Sequence, residues 1–549
     1  MLDGEQFAAL ARRLVGRARA ALAGHDPYDI AVAVLAIVLV TAVSATLKSY
    51  AISNDEEVQQ RYGELIVAYY LSGFRDQALF HYSNLYLYGG LFDVIAVLAE
   101  RALPFLDAYL VRHILSSLTG LAGIAGAWAA ARLIAGPRAG AIAAFALAVS
   151  GCWYGAMFNH TKDIPFAAAM IWAIYFLLRT ARELPQPRWR NVNAFGLLLG
   201  AALGIRVLGL LLVGYAAFAI LTRLMQRREA PRGQLQFFAD SAIAFAPAFL
   251  IGYAIMLLAW PWSSLSPLNP IRGLIDFSHF HYQIRTVLDG QIYTMATVPR
   301  WYVPAYLLIR LPLLVLAGTG IALALAAWRN RRATGERRSE TLLLASMALF
   351  PIACEVIDKG PAFTGLRHFL FVVPVFAALA GIGFDDLLSR LNTHAPRIAR
   401  SAFALVLVML TWNAAKLVRL HPYENLFYNP LVGGLPGAAG RYATDYWVGI
   451  MPEAVDRLEN YVAMLDRRGA HPERYRVAVC GERLPFEKRA NSRLEWTDDW
   501  TKAEFFIAPT HMNCDRVLNG YEFATIARLG TRIGVVKDRR ALLHSEVRR

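Results

Sequence analysis

Charge is scarce in this 549-residue chain: Asp, Glu, Lys and Arg together make up 18%, against about 25% in an ordinary soluble domain. Cysteine is nearly absent, with 4 in the whole chain. No CxxC pair and no Cys/His zinc spacing occurs, which excludes a disulfide-dense scaffold and a zinc-finger-type fold. Internal repeats and low-complexity tracts are also missing, which argues against solenoids, disordered chains and transporters built from duplicated halves. What is abundant is apolar: the hydrophobic set reaches 56%. It falls into runs of about 18–25 residues, separated by arginine-rich joints such as Arg179–Arg190, Arg223–Arg232 and Arg329–Arg338. The net charge of +15 is therefore the positive-inside signature of a polytopic membrane protein and not a nucleic-acid footprint.

A hydrocarbon core about 30 Å thick needs about 20 helical residues. Spans are predicted at 29–48, 110–134, 140–158, 164–180, 237–260, 303–328, 341–358, 367–385 and 401–420. The stretch 194–224 is long and contains Gly204-Ile205-Arg206, so it reads as two helices meeting at a corner. Counting it twice predicts about eleven spans, with all arginine-rich joints on one side. Ahead of the spans, residues 1–28 carry Phe7, Leu10, Leu14, Ala18 and Leu22 on one helical face and Arg12, Arg13, Arg17 and Arg19 elsewhere. This suits an amphipathic helix on the cytoplasmic surface, or a disordered basic tail. Ile30–Leu47 begins too late for an ordinary signal peptide and reads as an uncleaved anchor.

The expected architecture is an all-α membrane domain over 29–420, with outer loops 49–109 and 261–302, followed by a small extracytoplasmic α/β domain over 421–549. In that last segment Glu453–Arg468 reads as a helix, and Tyr475–Cys480, Glu504–Ala508 and Ile533–Val536 as strands. Cys480 and Cys514 lie there and could form a disulfide if the segment faces an oxidising compartment, a pairing that sequence leaves open because it does not show their separation.

Ionisable residues at span ends carry the chemical signal. Asn54-Asp55-Glu56-Glu57 follows the first span. A carboxylate at that boundary is partly desolvated and can serve as a base, although Asn54 or Asp55 could equally cap the next helix. Asn159-His160-Thr161-Lys162-Asp163 is a very short loop between two spans, offering a second acid beside a cation; Lys162 snorkelling to the interface is the plainer alternative. Arg206, Arg310, Arg367 and His368 lie at or near span ends, where burying a charge costs about 2.5–3.5 kcal/mol or more, so each needs a cavity or a partner. His279, His281, Tyr282, Arg285, Asp289, Gly290 and Tyr293 crowd the second outer loop. Their spacing matches no recognised metal set and suits a sugar-lining surface as well.

In order along the chain stand the acidic pair after span one, the Lys162-Asp163 loop, the Gly204-Ile205-Arg206 corner and an Asp289-Gly290 loop before Tyr302-Val303-Pro304. Arg367-His368-Phe369-Leu370 opens a later span, and Tyr428-Asn429-Pro430-Leu431-Val432-Gly433-Gly434 follows the last. This order resembles the GT-C membrane glycosyltransferases of the protein O-mannosyltransferase and aminoarabinose-transferase type, over about residues 29–450. The resemblance implies inverting transfer of a sugar from a polyprenyl-phosphate donor to an extracytoplasmic protein, lipid or glycan, with the active site on the periplasmic face of the inner membrane. It implies Asp55 as the base with Glu56 in support. Lys162, Arg206, Arg367 and His368 would hold the donor phosphate, and Asp163, His81, Tyr82, Asp289 and Tyr302 would contact substrate. No metal ligand set and no definite cofactor is implied, and a divalent ion is left open. Where many relatives carry His-Pro-Pro, this chain reads His81-Tyr82-Ser83, which leaves the acceptor class open. The alternatives are a transporter or flippase for a lipid-linked or anionic substrate, and an O-antigen ligase or polymerase.

Overall fold

The computed structural model describes residues 24–227, 230–278, 284–328, 336–358, 364–467 and 472–546. The basic segment 5–22 and the side chains of His279, His281 and Tyr282 lie outside the described residues. Asp26 accepts a hydrogen bond from the Tyr28 amide and Pro27 opens helix α1, Pro27–Thr46. Helix α2, Glu56–Leu71, and helix α3, Leu91–Ala102, form the first outer segment. Asp107 then caps helix α4, Ala108–Ala135, by accepting from the Tyr109 and Leu110 amides.

The bundle core contains α4, α5 (Pro137–Ala148), α6 (Asp163–Arg182), α7 (Trp189–Leu203), α8 (Leu211–Gln226) and α9 (Pro231–Ala259). It continues through α10 (Tyr302–Arg310), α11 (Leu313–Trp328), α12 (Glu336–Asp358), α13 (Val373–His394) and α14 (Pro396–Leu420). α13 is buried on nearly every face, while α1 and α14 expose rows of Val and Leu, as the lipid-facing edge of a bundle requires. Ion pairs gather the arginine-rich ends at one end of the bundle: Arg182 and Arg223 meet Glu340, and Arg138 and Arg337 meet Asp385. The protein is an integral, multi-pass membrane protein.

Eight described helices are long and apolar enough to cross a bilayer, or nine if one bent pair counts as a single span. The expected count of about eleven is therefore not reproduced by length and composition. Two expected spans are short, α5 with 12 residues and α7 with 15. The expected straight span over 303–328 is broken instead. α10 and α11 meet at 113°, at Pro312, whose missing amide and fixed φ end the first helix. The expected corner at Gly204-Ile205-Arg206 does separate two helices, through a 3₁₀ turn at Val207–Leu210.

Downstream of the bundle, helix α15, Met451–Asp466, packs beside a five-stranded sheet, the small α/β element expected from the sequence. After the hairpin of β1 (Arg285–Leu288) and β2 (Gln291–Thr294), that sheet comprises β3 (Tyr475–Val479), β4 (Leu494–Trp496), β5 (Phe505–Pro509), β6 (Tyr521–Arg528) and β7 (Thr531–Asp538). Its order is β4-β3-β5-β7-β6, parallel through β4-β3-β5 and antiparallel beyond. Cys480 and Cys514 are disulfide-bonded within it.

Candidate active site

Three helix junctions that are remote in sequence, those following α1, α5 and α12, converge near the end of α7. The turn Ser53–Asp55 precedes α2, the loop 159–162 precedes α6, and the 3₁₀ turn Arg367–Val372 precedes α13. Asp55 sits at the N-cap position of α2 with helical backbone angles, and its side chain makes no capping bond. The carboxylate instead accepts a hydrogen bond from the Arg367 guanidinium. Arg367 also donates through Nε to Asp163 Oδ2 at 3.1 Å, and Asp163 Oδ1 is ion-paired with Arg206. The outcome is a chain of alternating charge, Asp55–Arg367–Asp163–Arg206, with three of its four side chains at least nine-tenths buried. Ions this poorly solvated persist only when paired this closely.

Lys162 lies against this chain, buried, with Nζ 3.7 Å from the centre of the Tyr88 ring. Desolvation, opposed mainly by Asp93, pulls its ammonium down to about 8. His160, next to Asp163, is pulled down to about 4 by burial. Tyr88 reaches Lys162 because Gly89 lets its turn press onto the corner before Arg206: a Cβ on Gly89 would sit 2.1 Å from the Gly204 carbonyl oxygen. The amides of Gly90 and Leu91 donate to Ala259 and Gly204 and complete that contact.

Glu56 and Glu57 part company. Glu57 points to solvent. Glu56 is fully buried, accepts from the Ser53 amide at 2.6 Å and pairs with His113 at 3.1 Å. It thereby ties the turn that carries Asp55 to α4. Behind it, Arg112 pairs with Asp93 at 2.5 Å and approaches Glu100 at 3.6 Å. The sequence reading did not single out this buried group, because on an amphipathic helix such charges look like a solvated face.

Two cavities flank the charge chain. One, of about 200 Å³, has Arg206 and His368 beside an apolar wall of Leu208, Leu211, Leu274 and Phe371. The other is small and polar, lined by Arg367, Arg310, His160, Asn425, Tyr446 and Trp447. Trp447 lies under the Arg367 guanidinium at 4.5 Å, and Tyr428 under Arg310 at 4.7 Å. Arg310 donates to the Asn425 carbonyl, and Gly155 makes room for that backbone: a Cβ there would meet the Asn425 amide nitrogen at 2.2 Å. Nε of Arg206 and of Arg310 is buried without a hydrogen-bond partner among the described residues. Each cavity therefore has one guanidinium with a donor to spare, Arg206 on the apolar one and Arg310 on the polar one, as anion recognition by arginine requires.

Other expected contacts are placed elsewhere. Tyr302 is buried, shares a hydrogen bond with Thr286 at 2.7 Å and accepts from the Gly365 amide at 2.7 Å, so it braces the loop before Arg367. Asp289 is exposed at the β1–β2 turn and accepts from Arg441 Nε at 2.9 Å. His81 is exposed, and Tyr82 packs against the aromatic and aliphatic cluster on α2. Among the described residues, Asp289, His81 and Tyr82 make no contact with the charge chain. The described residues also hold no group of three His, Cys, Asp or Glu side chains arranged for a metal ion.

Residues 108–251 match the family model of the dolichyl-phosphate-mannose-protein mannosyltransferases. That match spans about a quarter of the chain. No curated protein matches the chain by sequence. Among solved structures it is similar to ArnT from Cupriavidus metallidurans in the apo state (17% identity, 92% of this chain and 98% of that one, TM-score 0.48). The same enzyme bound to undecaprenyl phosphate gives 17% identity over 92% and 97% of the two chains, with TM-score 0.47. The oligosaccharyltransferase AglB from Archaeoglobus fulgidus, in complex with an inhibitory peptide and a dolichol-phosphate, gives 14% identity over 87% of this chain and 69% of that one, with TM-score 0.44.

Proposed function

We propose that this protein transfers a sugar from a polyprenyl-phosphate carrier to an acceptor hydroxyl on the outer face of the inner membrane, inverting the anomeric carbon. The observation that carries this is the chain Asp55–Arg367–Asp163–Arg206 lying between an apolar cavity and a polar one. The family match adds a class of enzymes named for a lipid-phosphate-linked sugar. Asp55 takes the proton of the acceptor hydroxyl as its oxygen attacks the anomeric carbon. The bond from that carbon to the phosphate oxygen breaks, and the electron pair leaves with the carrier as a phosphate monoester. The departing group gains negative charge. Cations already fixed in a water-poor site stabilise it without reorganising, which is where electrostatic catalysis is strongest. Arg206 and Lys162 hold the phosphate, with His368 beside them at the mouth of the apolar cavity, where the isoprenoid chain lies. Arg367 holds Asp55 and Asp163 in register and faces the phosphate.

The acceptor enters from the polar cavity, on the Trp447 side, so that hydroxyl and donor phosphate approach the sugar from opposite faces. Outward orientation is supported by the ion-paired arginine-rich ends, which belong on the cytoplasmic side, and by a disulfide in the segment that follows the bundle. The test is mass spectrometry of envelope glycans and lipids from cells carrying the native chain or Asp55→Asn. A sugar-sized mass present in the first and absent in the second is expected. Identical envelopes, with both proteins inserted at equal level, would overturn the proposal.

A further inference from the structure

A cavity of about 490 Å³ opens at the far end of α14, away from the charge chain. Lys416 and Arg419 line it on one side, with Trp412 below, and the loop around Gly433–Pro436 on another. Leu529, at the β6–β7 turn of the C-terminal sheet, also reaches it. Neither cation has an acidic partner among the described residues: Lys416 lies 5.3 Å from the centre of the Trp412 ring, and Arg419 is exposed. This helix end is opposite the one where arginine-rich joints pair with Glu340 and Asp385. Unpaired cations there run against the usual distribution of Lys and Arg along a membrane protein.

The helix below supplies the other half of the pattern. Leu405, Val408, Trp412, Lys416 and Arg419 recur at helical spacing along one face of α14. The first three are each about 60% exposed, at 60%, 62% and 62%. An apolar stripe thus leads along a lipid-facing helix to two positive groups and an interfacial tryptophan. Each part matches one part of a phospholipid: stripe to acyl chain, cations to phosphate, indole to the glycerol level.

We infer that the Lys416–Arg419 cavity is a binding site for a negatively charged membrane phospholipid, seated with its chain along α14 and its phosphodiester on the two cations. The occupant comes from the bilayer and not from solution, because the stripe gives a free phosphate ion no added contact. The site is separate from the candidate active site and shares only the wall at Phe427–Tyr428, since the Tyr428 ring also lies under Arg310. A bound lipid would brace that wall.

Native mass spectrometry of the full-length protein, released from nanodiscs of equal phosphatidylglycerol and phosphatidylcholine, tests the site. The native chain should retain phosphatidylglycerol in preference to phosphatidylcholine. Lys416→Gln with Arg419→Gln should lower that preference roughly tenfold or more, since each cation near the surface attracts anionic lipid. Lys416→Arg with Arg419→Lys keeps the charge and should keep the preference. Equal retention of the two lipids by the native chain would overturn the inference. So would an unchanged preference in the Gln variant, or displacement of the retained lipid by millimolar inorganic phosphate. If the Gln variant does not fold, the native chain's own lipid preference and its loss on phosphate addition decide the question.

Discussion

Arg367 and Asp55 stand 312 positions apart in sequence, yet the guanidinium of one donates to the carboxylate of the other. The pair joins the end of the first span to the start of the buried α13. It also gives Arg367 two carboxylates to serve, since Asp163 accepts from its Nε. Under the proposed function, a phosphate arriving at Arg206 and Lys162 would compete with Asp163 for positive charge. Donor binding and the freedom of Asp55 would then be linked through one guanidinium.

The proposed roles predict that removing Arg206 separates donor recognition from acceptor recognition. Arg206→Ala should raise the KM for the lipid-linked sugar at least tenfold and leave the acceptor KM nearly unchanged, measured by steady-state kinetics in detergent or nanodiscs. The same change leaves Asp163 buried with one partner fewer, and breaking a buried pair costs about 3–5 kcal/mol. Arg206→Ala with Asp163→Ala should recover part of that stability without recovering donor affinity. A rise confined to the acceptor KM would place the phosphate elsewhere.

If Lys162 holds the donor phosphate, it sets a pH limit. Burial lowers its ammonium to about 8 from 10.5, so the positive charge is present below that pH and lost above it. kcat/KM for the donor should fall as pH rises through about 8, and Lys162→Arg should flatten the alkaline limb. Between about 8 and 10.5 the unfolded chain binds more protons at this position than the folded one, so this group's effect on stability grows more favourable as pH rises there. Thermal unfolding scans at pH 7.5 and 9 should therefore show no loss attributable to Lys162, which separates lost binding from lost structure. An alkaline limb unchanged in Lys162→Arg would exclude the assignment.

Glu56 acts on the turn that carries Asp55, through the Ser53 amide and His113. His113→Ala should lower kcat several-fold while leaving the donor KM close to native, and His113→Asn should restore part of the rate by donating to the same carboxylate. Equal losses in both variants, accompanied by a raised donor KM, would make His113 merely structural.

Topology gives a check independent of catalysis. A reporter fused after residue 430 should be active in its periplasmic form and silent in its cytoplasmic form. The opposite pattern would turn the site inward, away from an extracytoplasmic acceptor.

Much of the site was legible because ionisable groups at span ends are too costly to be incidental. Asp55, Lys162, Asp163, Arg206 and Arg367 stand out in the sequence for that reason alone, and they meet in space. Tyr446 and Trp447 were not legible as part of the same cavity as His160, since a loop after the last span carries no periodicity that says where it folds back. The Arg112–Asp93–Glu100 group was missed because α3 is amphipathic and its buried charges occupy spacings that solvated ones also use. The break between α10 and α11 was legible in principle from Pro312, but the long apolar run around it outweighed that single residue. Asp289 and His81 drew attention through neighbouring polar residues in sequence, which is no guide to whether an exposed turn reaches a buried centre.

The most direct measurement is sugar transfer by purified Asp55→Asn in nanodiscs supplied with polyprenyl-phosphate-linked sugar and envelope acceptor, alongside binding of the polyprenyl phosphate itself. A general base contributes roughly 10²–10⁴-fold. Transfer should fall by at least the lower of these while the lipid phosphate still binds within a few-fold of native, because Arg206 and Lys162 are untouched. Transfer at the native rate would show that the carboxylate facing Arg367 is not the base.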